Sequence, residues 1–302
     1  MFRDFDSLIK SVKGNREKKT IAVAAAHDQE VLACAAEARR LEIADFILVG
    51  SRDKISEILS SLGETPGNWH IIDQPHDTKA AALAVELVRK GSAHLPMKGL
   101  VHTSVFLKAV LDKEQGLVGG KAVLSQITVA EYKQQNRLIL VTDCAINIAP
   151  DFAAKVKIAE NAVTLARAFG INKPKVAAIA PVEVVNPAIP ETVDAAMLSK
   201  AAERGQIKNC IIDGPLALDN AVSEEAARVK GIVSPVAGSA DILLMPNLAA
   251  GNAQDKSLRY FSGFKTGSAV LGAKTPIIVT SRSDSAENKL HAVVLGIICD
   301  IN

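Results

Sequence analysis

The stretch ADILLMPNLAAGNAQDKSLRYFSGFKTGSAVLGAKTPIIVTSRSDS, residues 240–285, reads as a strand, a polar loop, a helix, a short strand, a second strand over Pro276 to Val279, and a final loop. Apolar runs of strand length, bounded by turn residues and alternating with helical periods, mark βαβ units and a parallel sheet. In such sheets ligands collect where loops leave the carboxyl ends of the strands. Two polar clusters occupy those places: Asn247, Gly251, Asn252 and Lys256 after the first strand, and Ser281-Arg282-Ser283-Asp284-Ser285 after the last.

The same alternation fills the N-terminal part. Strands are expected over 20–26, 46–49, 69–72 and 99–101, with helices from Val31 to Leu41, over 77–90 and over 103–111. Phe2, Phe5, Leu8, Ile9 and Val12 suit a short amphipathic helix before them. The texture changes after Gly116-Leu117-Val118-Gly119-Gly120-Lys121, because Ala122 to Ala130 and Arg137 to Val141 are both β-prone with no helix between them. They are expected to pair antiparallel across a polar turn, near the exit from a first lobe. The glycine-rich piece is a turn rather than a phosphate loop, since Gln115 and Ala122 stand where a Walker motif needs Gly and Ser or Thr. Further on, a helix from about Asp151 to Phe169 ends at Gly170. Strands at 175–179, 209–212 and 242–244 alternate with a helix at 191–204. The fold class is α/β, with two domains of mixed, mostly parallel sheets and flanking helices.

The 302 residues favour two lobes, and 48 % hydrophobic with 4 % aromatic residues suits a core of small and branched aliphatics. With 35 basic and 33 acidic residues, the net charge of +2 gives no field that would recruit nucleic acid or an anionic membrane. Cys34, Cys144, Cys210 and Cys299 are widely spaced and form no metal-ligand rhythm with the histidines, so a reduced, cytoplasmic protein with buried thiols and no metal is expected. The N-terminus lacks the pattern of a signal peptide, and His291 to Cys299 is too short to span a bilayer.

Three places carry candidate chemistry. Ser281-Arg282 precedes a helix beginning near Ser285, so an always-charged planar fork of donors lies beside a helix N-terminus, an anion site on local grounds; the competing reading pairs Arg282 with Asp284 or Glu287. Thr103 and Ser104 open a helix with Lys108 one turn later, and their hydroxyls either cap that helix or bind an oxyanion. Asp213-Gly214-Pro215 reads as a turn after a buried strand, which with Asn247 and Asn252 supplies short polar groups for a polar ligand.

HTSVFLKAVLDKEQGL (102–117), TDCAINIAPD (142–151), EVVNPAIPETVDAAMLSKAAERGQI (183–207), DGPLALDNAVS (213–223), the 240–261 segment and GAKTPIIVTSRSDSAENKL (272–290) follow one another in an order that resembles the phosphate acetyl/butyryltransferase family, closest to its butyryl branch. The resemblance implies a two-domain fold like that of isocitrate and isopropylmalate dehydrogenases. Residues 1–140 plus 275–302 would form a discontinuous first domain and 141–274 a second, with the active site in a cleft and a homodimeric assembly. It implies the reaction acyl-CoA + phosphate = acyl phosphate + CoA in a ternary complex, with CoA as a substrate and no cofactor. Ser281 and Arg282 would hold the phosphoryl group and the oxyanion, and Thr103, Ser104 and Lys108 would line the phosphate side. Asp213, Gly214, Pro215, Asn247, Gly251, Asn252 and Lys256 would line the CoA side.

The chain departs from the family pattern twice. Relatives often carry Arg at the place of Lys108. Acetyl-branch relatives have an Asp, proposed as a base, six residues after the arginine, where this chain has Asn288; Asp284 or Glu287 is then the candidate base. The nearest alternative is an acetyl-preferring enzyme of the same family. A nicotinamide-dependent dehydrogenase is disfavoured by the lack of a glycine-rich dinucleotide fingerprint. A catalytically silent CoA sensor is a further alternative, and a cysteinyl acyl-enzyme is the rival mechanism.

Overall fold

The computed structural model describes residues 2–14 and 18–301. Contacts group the chain into two units. One comprises Phe5–Ala122 and the segment from Gly267 onward, and the other Val123–Thr266 with the few residues that precede Phe5.

The first unit opens with α1 (Phe5–Val12), whose Phe5, Leu8 and Val12 are buried as the amphipathic spacing requires. Phe2 lies outside that helix. The βα alternation follows: β1 (Lys19–Ala24), α2 (Gln29–Arg40), β2 (Ala44–Gly50), α3 (Arg52–Ser61), β3 (His70–Asp73), α4 (Asp77–Arg89), β4 (Leu95–Lys98) and α5 (Thr103–Val110). The strands form a parallel sheet in the order β3-β2-β1-β4. Near-continuous burial of Ile21 to Ala26 and of Phe46 to Val49 is the signature of a sheet covered on both faces.

β4 is a correction to the expected strand at 99–101. Gly99 N and Leu100 N still donate to Ala24 O and Ala25 O, so ladder-like bonding runs past the strand, but the regular element is LPMK. Pro96, which has no N–H to give, and Lys98 concealed it. On its other side β4 meets the 277–278 backbone, through Lys98 N to Ile278 O and Ile278 N to Pro96 O. The expected strand over 276–279 is thus reduced to isolated bridges, Met97 with Ile278 and Val270 with Ile277.

The second unit contains β5 (Ser125–Tyr132), β6 (Arg137–Thr142), α6 (Phe152–Ala168), β7 (Lys175–Ile179), α7 (Pro190–Glu203), β8 (Ile211–Leu216), α8 (Leu218–Val222), α9 (Glu224–Val229), β9 (Ile242–Leu244) and α10 (Leu248–Tyr260). β5 and β6 pair antiparallel, as the two β-prone runs predicted, and the remaining pairs, β6 with β9, β9 with β7 and β7 with β8, are parallel. Gly170 follows α6 with φ 86°, the left-handed cap that a glycine tolerates.

Two expectations about this unit change. β5 and β6 belong to it, because β6 is hydrogen-bonded into its sheet, so the boundaries fall at 122/123 and 266/267 rather than at 140/141 and 274/275. Asp213-Gly214-Pro215 is the continuation of β8 and not a turn. β8 ends the strand order, and an edge strand tolerates a proline that has no ladder N–H.

β10 (Thr266–Leu271) starts at the boundary, and α11 (Ala286–Ile301) closes the first unit. Ala292 to Leu295, Ile297 and Ile298 of α11 are buried, and α11 packs on α1 and α2, with the His291 ring stacked on Phe5 at 3.9 Å. Among the described residues no helix is long and apolar enough to cross a membrane.

Candidate active site

The first unit gathers cations around the carboxyl end of β4. Lys98 ends that strand and is only 3 % exposed. Its Nζ donates to Gly99 O at 3.1 Å and Val101 O at 3.4 Å, so the ammonium lies beneath the loop leading into α5. That loop requires a glycine: a Cβ on Gly99 would lie 2.4 Å from Ala25 O. Lys289, on α11 and 1 % exposed, donates to Ser281 O at 2.8 Å and Asp284 O at 2.9 Å, tying the Ser281–Asp284 loop to the helix.

Neither lysine is within ion-pair distance of a carboxylate among the described residues. Burying an ammonium without such a partner costs several kcal/mol, which normally shows as a lowered pKa. Desolvation, followed by the Lys289 and Arg282 charges, pushes Lys98 down to about 8, while Asp28 and Asp284 act in the opposite sense. The Arg282 guanidinium is exposed and has no ion pair or hydrogen bond among the described residues, so the pairing with Asp284 or Glu287 weighed from sequence is absent.

The loop that presents Arg282 is held from within. Ser281 N donates to Asp284 Oδ2 at 2.7 Å, Asp284 N to Ser281 O at 3.2 Å, and the Ser281 and Ser283 hydroxyls lie 3.0 Å apart. Asp284 is buried and spends an oxygen on that bond, which suits a loop organiser better than a base. Glu287 is exposed, with Oε1 4.0 Å from His291 Nε2. The N-terminus of α11 is not open to an anion as expected, because Glu30 Oε2 accepts from Ala286 N at 2.7 Å. Asn288 N donates to Ser285 Oγ at 3.3 Å in the same turn.

At α5 the N-cap is His102 rather than Thr103 or Ser104, and it makes no side-chain cap bond. The Thr103 and Ser104 hydroxyls and the Lys108 ammonium are exposed and have no hydrogen-bond or ion-pair partner among the described residues. Among the described residues the unengaged hydroxyls at the start of α5 and the unpaired Arg282 guanidinium are each donors of the kind that suits a small oxyanion.

The candidates in the second unit are mostly committed to structure. Asn247 caps α10, its Oδ1 accepting from Ala250 N at 3.0 Å. Gly251 is buried where a Cβ would lie 1.9 Å from Asp143 O. Asp213 Oδ1 accepts from Ser199 Oγ at 3.1 Å and Gly214 N at 2.9 Å, and a Cβ on Gly214 would press to 2.7 Å from Ala178 O. With Pro215 alongside in β8, this tripeptide serves the sheet edge. Asn252, exposed, donates to Cys144 O at 3.3 Å, and the partly exposed Lys256 has no partner among the described residues.

Sequence reasoning missed Asp143, whose carboxylate organises this region. Its Oδ1 accepts from Gln126 N, Ala145 N and Ile146 N, and its Oδ2 from Asn147 N and Asn147 Nδ2. Lys98 and Lys289 were missed too; the available signal was a lysine ending an apolar strand and another on an otherwise apolar helix face. The thiols are poor nucleophiles: burial pushes Cys34 and Cys299 up to about 12 and Cys210 to about 11, and raises Cys144 further. No cluster of three or more His, Cys, Asp or Glu able to hold a metal occurs among the described residues.

Comparison with known proteins shows what the chain is similar to. The family model described as phosphate acetyl/butaryl transferase matches residues 70–297. The phosphate butyryltransferase of Clostridium acetobutylicum is 47 % identical over 296 residues, covering 98 % of each chain. The phosphate acetyltransferase of Thermotoga maritima is 41 % identical over 293 residues, covering 97 % of this chain and 98 % of its own. The crystal structure of a branched-chain phosphotransacylase from Enterococcus faecalis superposes with a TM-score of 0.82 at 32 % identity, covering 93 % of this chain and 99 % of the other. With a match over most of its length and relatives above 40 % identity, the chain belongs to the phosphate acetyl/butaryl transferase family.

Proposed function

We propose that the protein is an acyltransferase that moves a short acyl group, butyryl in preference to acetyl, between CoA and inorganic phosphate. The observation that carries this reading is the Arg282 guanidinium, unpaired among the described residues, beside two buried lysines that likewise lack carboxylate partners among them. Such an excess of positive charge is costly by itself and is offset by a bound dianion. Arg282 and the Ser281 hydroxyl hold the phosphate, with Thr103, Ser104 and Lys108 supplying further donors.

A phosphate oxygen lone pair attacks the thioester carbonyl carbon, and the carbonyl π pair moves to oxygen, where Arg282 and the hydroxyls stabilise it. When the carbonyl re-forms, the C–S bond breaks and its electron pair leaves on sulfur as the CoA thiolate. A leaving thiolate needs no general acid at neutral pH, so the asparagine at 288 is no obstacle. Asn252 and Lys256, the candidates of the second unit with exposed polar groups, are assigned to CoA. No resident metal or cofactor takes part, and CoA is a substrate.

The higher identity to the butyryl than to the acetyl relative, 47 % against 41 %, supports the longer acyl group. We assign the protein to the cytoplasm as a homodimer. The exposed Tyr260 and Phe261, at 67 % and 91 %, lie at the end of α10, whose Leu258 helps line an apolar hollow of about 130 Å³, and suit a subunit contact. Phosphate-dependent CoA release across acetyl-, propionyl-, butyryl- and branched acyl-CoA tests the reading. Butyryl-CoA should give the highest kcat/KM, with one methylene worth about 1–3 kcal/mol. Release that does not depend on phosphate would refute the reaction, and a preference for acetyl-CoA would refute the chain-length assignment.

A further inference from the structure

Lys98 links both parts of the phosphate-binding end. Its ammonium donates to carbonyls of the 99–102 loop, which delivers Thr103 and Ser104, and it feels the charges of Arg282 and Lys289 from the other segment. The facing titratable groups are therefore Arg282, Asp284 and Lys289 from the 281–289 segment and Asp28 from the residues before α2. Both carboxylates are engaged elsewhere, Asp28 in capping α2 at Val31 N and Asp284 in holding Ser281 N, and neither forms an ion pair with Lys98. Two carbonyl hydrogen bonds engage two of the three donors of the ammonium and do not neutralise its charge. A 97 %-buried lysine in this position would be replaced by a neutral side chain at no loss if it served packing alone, because a buried unneutralised charge is unfavourable.

We propose that Lys98 is an anion-positioning residue, the third positive group of the phosphate site, which acts through the 99–102 loop and through its field on the dianion held by Arg282. The proposal rests on the reading of Arg282 as the phosphate ligand. The resting ammonium titrates near 8, and a bound dianion favours its protonated form, so phosphate binding and protonation of Lys98 support one another. Affinity is then full below about 8 and falls by up to about tenfold per pH unit above it, until the bound state also loses the proton. Lys289 sits beside Lys98 with its donors on Ser281 O and Asp284 O, and is assigned to the shape of the loop rather than to the anion.

The test is titration calorimetry of the full-length protein with inorganic phosphate, and in parallel with sulfate, which stays a dianion throughout pH 7–9.5. Wild type, Lys98→Met, Lys98→Arg and Arg282→Ala are compared. Lys98→Met should weaken both anions at pH 7 by about tenfold or more and abolish the alkaline fall in sulfate affinity. In turnover it should raise KM for phosphate while KM for acyl-CoA stays within about twofold. Lys98→Arg should restore most of the affinity and keep it constant through pH 9.5, because a guanidinium does not titrate there. The arginine variant also controls for misfolding of the methionine variant, since a group needed only for packing would not be rescued by a larger cation. Wild-type affinity and pH dependence in Lys98→Met, with Arg282→Ala still defective, would overturn the role of Lys98 alone. Undiminished binding in Arg282→Ala would overturn the phosphate reading beneath it.

Discussion

The carboxylate of Asp143 and the ammonium of Lys98 are both 3 % exposed, yet the chain treats them in opposite ways. Asp143 accepts five hydrogen bonds from the backbone and side chain around it, and Asp255, in the same unit, receives Thr128 Oγ1 and the Arg259 guanidinium. These charges are answered inside the fold. Among the described residues Lys98 and Lys289 receive only carbonyl oxygens, and Arg282 beside them has no partner. Buried charge that is satisfied specifies a structure, whereas charge left unanswered is a demand for a ligand of the opposite sign. The contrast separates the family motif at 142–151, which reads as architecture, from the motif at 272–290, which reads as chemistry.

Substitutions on the two sides should therefore fail differently. Arg282→Ala has the largest expected effect on turnover, a fall in kcat of about 10²–10³, while its thermal unfolding stays close to that of wild type, because among the described residues the guanidinium makes no bond that holds the fold. Steady-state rates beside a melting curve check both halves; a large drop in melting temperature would erase the contrast. Asp143→Ala should do the reverse, costing about 3 kcal/mol or more of stability through the backbone donors it strands, as read from a denaturant titration. A variant as stable as wild type would show that the loop at 143–147 orders itself without the carboxylate.

Smaller effects sharpen the boundary between the two classes. Glu30→Gln weakens the bond to Ala286 N and removes the charge at the start of α11, which should lower stability by about 0.5–1 kcal/mol with little change in kcat. A collapse of turnover there would move Glu30 from cap to reacting group. The smallest effect is expected at the thiols. With burial holding Cys34 and Cys299 at about 12 and Cys210 at about 11, alkylation at pH 8 should run more than about a hundredfold slower than for a free thiol and leave activity intact. Rapid inactivation, prevented by acyl-CoA, would revive the cysteinyl acyl-enzyme.

Much of the architecture was legible because apolar runs and helical periods are read directly from residue order, as in Lys175–Ile179 or the antiparallel pair of β5 and β6. The failures share a cause. Asp213-Gly214-Pro215 has the composition of a turn, but at a sheet edge the same residues extend a strand, and edge position is a property of the assembled sheet. Pro96 and Lys98 hid β4 in the same way. Ser281-Arg282 was legible as a candidate because a short polar cluster after an apolar run declares itself locally. Lys98, 184 positions from Arg282 in the numbering, was not, since only folding makes the two feel one another. Glu30 reaching Ala286 is a second contact of this long-range kind.

The most direct test of the central claim is a calorimetric titration of inorganic phosphate into the wild-type protein and into Arg282→Ala at pH 7 and fixed ionic strength. The wild type should bind one phosphate per chain saturably, and the variant should bind at least about thirtyfold more weakly, as expected for the loss of a charge-assisted bidentate contact. Equal affinities, or no saturable binding by the wild type, would contradict the account.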